Sequence, residues 1–213
     1  IERSQGEYIC CYNQDTRFPP DYLETLDEWV TQDAAWTTAR VNYRVSEEHQ
    51  CIRFRTKYGY SIPYLVTSGK GCVKTNCILG DGAIIPRQIY NTPLEEMIFD
   101  ENLPPRAEDV DLGLRLRNSG ISILAILETA SVHPDKGDLY TIRLGTIQQF
   151  LQNIYSNFKA YSKSATTEES IRTVIGGPLY LLDVFYREFP RSEANIPPNM
   201  YVERNRLRGI SKQ

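Results

Sequence analysis

Three carboxylates, Glu108, Asp109 and Asp111, fall within four positions of the stretch RAEDVDLGLRLRNSG, which runs from Arg106 to Gly120 behind Pro104 and Pro105. Carboxylates gathered this closely can take the proton from an attacking hydroxyl or help to hold a cation, according to how burial and neighbouring charge set their protonation. Acids in a first helical turn also complement the positive end of the helix dipole, and that role needs no ligand. A second polar cluster, Asn13-Gln14-Asp15, opens the turn NQDTRF. Of the two histidines, His133 closes a long apolar run, whereas His49 sits among acids and Gln50 and reads as a solvated loop residue.

The elements that must position these groups follow from period and end signals. Val110, Leu112, Leu114 and Leu116 alternate with polar or small residues, the period of a half-buried strand. The ends point to a helix instead: acids lead, Arg115 and Arg117 close, and Asn118-Ser119-Gly120 supplies a left-handed stop. In a helix, positions 110/114 and 112/116 make two opposed apolar stripes, so the element must lie between two layers. The next segment, ISILAILETASVH, opens with an unbroken apolar run suited to a strand buried on both faces. Upstream, GEYICCY (6–12) reads as a strand. Pro19-Pro20-Asp21 then starts a helix with Tyr22, Leu23, Leu26, Trp29 and Val30 at helical spacing. Strand, acidic turn and helix in that order place Asp15 at the carboxyl end of a strand, the edge where ligands gather in open α/β sheets.

Between these landmarks, 36–45 and 51–66 alternate as strands with one wet face, and their tyrosines serve as strand filler or as stacking surfaces for sugar rings. TSGKGC (67–72) lacks the spacing of a phosphate-binding loop. In CILGDGAIIPR (77–87), Gly80 and Gly82 flank Asp81 ahead of a short strand ending at Pro86-Arg87. Past His133 the pattern turns helical. Ile147, Phe150, Leu151, Ile154, Phe158 and Tyr161 form one stripe, SKSATTEES makes a polar turn, and helical material follows around Leu179 to Phe189. A tail with Arg204, Arg206, Arg208 and Lys212 ends the chain. The reading is an α/β core over 1–140 and a helical extension with a basic tail over 141–213.

Taken in order, Phe99-Asp100-Glu101, the pair Glu108-Asp109 opening a helix that ends in arginines and Gly120, a strand, and His133 resemble the acidic end of an inverting, family-2 glycosyltransferase of the GT-A fold. GEYICCYNQDTRFPP resembles that family's Asp-x-Asp region, with Asn13 and Asp15 at the two motif positions, so that an amide stands where the first carboxylate is expected. The resemblance implies a mixed sheet flanked by helices and transfer of a sugar from a UDP-, GDP- or dTDP-linked donor to a hydroxyl of a glycan or glycoconjugate. It implies Asp109 as general base, with Glu108 and Asp111 its nearest competitors, and Asn13 and Asp15 beside the donor. Asp81, Gly82, Arg87 and Asp111 fall on the acceptor side. Asp15 and His133 would hold Mn²⁺ or Mg²⁺, since oxygen and imidazole ligands suit these ions, although Asn13 removes one anionic ligand. The match covers roughly 4–135 and begins in the middle of the family's domain, without the unit that holds the nucleotide base. The expectation is therefore a chain that continues upstream, or one that has lost that unit. Loss favours the alternative of a non-catalytic, glycosyltransferase-like module that binds a glycan or a partner protein. A sugar-nucleotide pyrophosphorylase is weaker, because its glycine-rich basic loop is not seen.

Composition sets outer bounds. The 213 residues carry a formal charge of −3, so nothing global steers the chain to nucleic acid or an anionic membrane. Five cysteines, Cys10, Cys11, Cys51, Cys72 and Cys77, have no C-x-x-C spacing and read as reduced residues of a reducing, cytoplasmic compartment. No run reaches transmembrane length, and the stripe after Thr146 leaves a peripheral membrane role open.

Overall fold

The computed structural model describes residues 5–41, 50–67, 69–80, 82–91, 99–104, 107–132, 144–186, 191–192 and 196–202. Among them, one mixed nine-stranded sheet carries helices on its faces, an α/β fold. The strands are β1 (Tyr8–Cys11), β2 (Ala34–Val41), β3 (Gln50–Arg55), β4 (Ser61–Val66), β5 (Cys72–Thr75), β6 (Ala83–Pro86), β7 (Ser122–Ser131), β8 (Arg191–Ser192) and β9 (Tyr201–Val202). The helices are α1 (Tyr22–Trp29), α2 (Arg87–Asn91), α3 (Glu108–Asn118), α4 (Leu144–Ser164) and α5 (Thr167–Tyr186).

The sheet is built outward from β2. On one side β2 runs parallel to β7, Ala34–Thr38 against Ser122–Ile126; on the other it meets β6 at Trp36–Ile84 and β3 at Arg40–Cys51, both antiparallel. A parallel pair in mid-sheet is covered on both faces, which is why ISILAIL is apolar without alternation. Ala35, Ile85 and Ile123 pack toward α3, while Trp36, Ile84 and Leu124 pack toward α1. In α1, Tyr22, Leu26 and Trp29 face the sheet, but Leu23, expected on the same stripe, points to solvent.

Both stripes of α3 are used. Leu112 and Leu116 enter the sheet core, and Val110 and Leu114 meet Ala160 and Tyr161 of α4, so the helix lies between layers as its sequence requires. The expected stripe of α4 is only partly buried. Leu151 and Phe158 are exposed, because the small residues Ser156, Asn157 and Ala160 face inward and let the helix approach closely. Thr166 and Glu169 cap the start of α5 reciprocally: the Thr166 N–H donates to Glu169 Oε2 at 3.0 Å and the Glu169 N–H to Thr166 Oγ1 at 3.2 Å. The extension is thus joined to the core, and it also adds β8 beside β4 and β9 beside β5. The basic tail lies outside the described residues.

Helix α5 passes Gly176-Gly177 without a break, and both glycines sit at close contacts. A Cβ at Gly176 would fall 2.4 Å from Tyr58 Cβ, and one at Gly177 2.8 Å from Ile154. Gly176→Ala should therefore destabilise by about 1–3 kcal/mol through overpacking. Gly113→Ala in α3, whose nearest neighbour would be 3.8 Å away, should stabilise by about 0.5–1 kcal/mol. Chemical denaturation of the two variants checks the contrast, and equal effects would mean that α5 does not seat on Tyr58.

Candidate functional site

The mouth of α3 is where carboxylates and the sheet edge meet. Ala107 caps the helix without a side-chain hydrogen bond, so Glu108, Asp109 and Asp111 supply the negative charge at its first turn. A methyl placed on Gly80 would lie 3.7 Å from the Phe99 ring and 3.9 Å from Asp109 Cβ, ordinary contact distances that put this strand-to-strand segment beside the acid. Part of Asp109 reaches solvent, yet protein crowds its carboxylate, and that burial pushes its pKa up; the Arg55 guanidinium opposes the rise and Glu108 adds to it. One carboxylate oxygen of Glu108, Oε2, is buried with no hydrogen-bond partner.

Arg55 is the functional neighbour that sequence reasoning missed. Its Nη1 donates to the Gly59 carbonyl at 2.7 Å and to Asn157 Oδ1 at 3.2 Å, and its Nη2 to Cys77 Sγ at 3.7 Å. Burial raises the Cys77 thiol's pKa, so the sulfur stays neutral and leaves the positive field of Arg55 to Asp109. Arg53 and Arg55 alternate with Ile52 and Phe54 and so read as a wet face. Asn157 of α4 reaches Arg55 on that face, and no local signal announces it.

The turn Asn13-Gln14-Asp15 is exposed at the end of β1 and is closed by the Thr16 N–H on the Asn13 carbonyl at 3.1 Å. Arg17 and Val132 then exchange backbone hydrogen bonds of 2.7 and 2.8 Å, which brings this turn beside the residue that precedes His133. His133 itself lies outside the described residues, as does Asp81. Gly82, at φ +111°, donates to the Cys11 carbonyl at 2.8 Å and sits where a Cβ would come 3.8 Å from Thr37 Oγ1, a buried hydroxyl with no partner. Cys11, Gly82, Gly80 and the mouth of α3 thus follow one another along a single edge of the sheet.

Other expected residues stand elsewhere. Arg87 begins α2 at the far end of β6, about 16 Å of extended chain from Gly82, and its Nε donates to the Gly6 carbonyl at 2.7 Å. Asp111 is fully buried, paired with Arg115 at 2.8 Å and accepting from Ser164 Oγ, with Lys163 at 3.9 Å, so its carboxylate joins α3 to α4. Of Phe99-Asp100-Glu101, Phe99 packs on the core, and Asp100 pairs with Lys163, which with the Asn102 N–H draws its carboxyl down to about 2. All five cysteines are free thiols; Cys51, Cys72 and Cys77 are buried and Cys10 is exposed.

A divalent cation at the end of β1 would find hard oxygen donors in Asp15 and Asn13, which suit Mg²⁺ or Mn²⁺ in kind. Among the described residues no group of three or more His, Cys, Asp or Glu side chains stands ready to hold a metal. No described helix is long and apolar enough to cross a membrane. No protein-family model matches the chain, and no curated protein matches it.

Proposed function

We propose that this chain is the core of a GT-A-like glycosyltransferase that moves a sugar from a nucleotide-sugar donor to an acceptor hydroxyl with inversion. The observation that carries the reading is the pair at the mouth of α3: Asp109, raised by burial, beside Glu108 with an unpartnered oxygen, on the same sheet edge as the Asn13–Asp15 turn. Asp109 takes the proton of the attacking hydroxyl. Its raised pKa suits a base, because the carboxylate is less stabilised in its charged form and gains more on protonation. Glu108 Oε2 accepts a second hydroxyl of the acceptor and so orients it. Gly82, held at φ +111° beside Cys11, stands where the resemblance puts the acceptor. A Mn²⁺ or Mg²⁺ ion at Asp15, when bound, would neutralise the leaving diphosphate.

Asn13 favours a second reading, a glycosyltransferase-like module that binds a glycan or partner without transfer, since the amide weakens the cation site. Calorimetric titration of the full-length protein with UDP-glucose, GDP-mannose and dTDP-glucose in Mn²⁺ separates the two. The transferase reading expects one donor to bind and Asp15→Ala to weaken it by about ten-fold or more. An intact fold that binds none of the three supports the module.

A further inference from the structure

A second site lies beside the start of α1, where the sheet is irregular. Strands β2 and β7 pair in register up to Thr38–Ile126, and the next pair is Ala39–Ala130, so Leu127, Glu128 and Thr129 form a bulge. Bulges turn side chains out of the alternation that a strand would impose. Here the Leu127 N–H donates to the Gly71 carbonyl at 2.9 Å instead, and Glu128 is pinned at both oxygens, by Trp29 Nε1 and by the Gly71 N–H, each at 3.0 Å. The bulge is therefore a held shape.

Next to it opens a groove of about 470 Å³, within the range of small-molecule sites. Thr129, only 3% exposed, is on its wall, and its Oγ1 has no hydrogen-bond partner; Gln50 also lines the groove, and its Oε1 is buried and unpartnered. Leaving two such groups unmet is unfavourable in a folded chain, and a ligand carrying hydroxyls satisfies both. Phe18 forms part of the rim. Its ring is held at 4.7 Å from Tyr12 and 4.6 Å from Tyr22 yet stays 42% exposed, a rigid apolar plate. The charged lining is one cation, Arg17, against two acids, Asp21 and Glu128, which disfavours a phosphate or carboxylate ligand.

We propose that this groove binds a neutral saccharide, with Thr129 and Gln50 bonding its hydroxyls and Phe18 packing on the C–H face of the ring. The alternation of polar rim and apolar face is what a pyranose presents: hydroxyls around its edge and C–H bonds on its faces. The groove is on the α1 side of the sheet, whereas Asp109 is on the α3 side; Arg17 joins its rim to the Asn13–Asp15 turn, so it neighbours the proposed donor side and is separate from the proposed base.

Amide NMR titration of the labelled full chain with the methyl glycosides of glucose, galactose and N-acetylglucosamine, without nucleotide or metal, tests the proposal. At least one glycoside should shift the amides of Arg17, Phe18, Gln50 and Thr129 with an affinity on the order of 1 mM. Thr129→Val and Gln50→Leu, which remove the unmet polar atoms, should each weaken that binding by about ten-fold with no loss of thermal stability. The proposal is overturned if no glycoside moves these amides, if both variants bind like the parent, or if inorganic phosphate shifts the groove in place of the sugars. Because no donor is present, a failed transferase assay leaves this result untouched.

Discussion

Asp109→Asn is expected to lower sugar transfer by about 10³-fold or more, with donor affinity nearly unchanged, because it removes the base and little else. The substitution keeps the shape of the side chain and mimics the form that the fold prefers. Burial raises the Asp109 pKa in the folded chain, so its stabilising contribution is present at low pH, where the acid is protonated in both states, and declines as pH rises through the folded value. At neutral pH the amide therefore removes an unfavourable charge, and the thermal midpoint should hold or rise. The same direction sets the pH profile. Turnover should fall on the acid side at a pH above the ordinary aspartate value of about 3.9, and Arg55→Gln, which removes the opposing positive field, should move that limb higher still. Retained turnover in Asp109→Asn would exclude it as the base. Loss confined to Glu108→Gln would transfer the role to its neighbour.

Asp111→Ala should act in the opposite way, on stability and not on turnover. Its carboxylate is fully buried between Arg115, Lys163 and Ser164, and removal leaves these groups facing one another at the junction of α3 and α4. Breaking a buried pair costs about 3–5 kcal/mol, and the partial exposure of Arg115 and Lys163 places this case near about 3. For a chain of this size that lowers the thermal midpoint by about 10 °C. Scanning calorimetry with steady-state kinetics on the folded fraction checks both halves. A raised acceptor KM at an unchanged midpoint would restore Asp111 to the acceptor side, where the resemblance puts it.

The two acids show where sequence stops. Asp109 and Asp111 are two residues apart in one helix, both in its first turn, and nothing local separates them. Their directions differ by about 200° around the helix, so one meets the sheet edge at Gly80 and the other meets α4. Which direction leads to the sheet edge and which to a packed interface depends on what covers each face. Arg55 is the same case on a strand, since the periodicity that reads it as wet cannot show that Asn157 of α4 and the Gly59 carbonyl will hold it.

What could be read in advance was local and periodic. The two opposed stripes of α3 require layers on both sides, the apolar run of β7 requires a strand covered on both faces, and Pro19-Pro20-Asp21 starts α1. Each of these follows from backbone geometry and the side chains within a few residues, and each holds whatever the rest of the chain does. The groove at Thr129 and the field of Arg55 on Asp109 were decided only in three dimensions. They join residues far apart in the chain, Gln50 with Thr129 and Arg55 with Asp109, whose burial and missing partners exist only once the sheet has closed and the helices have docked on it.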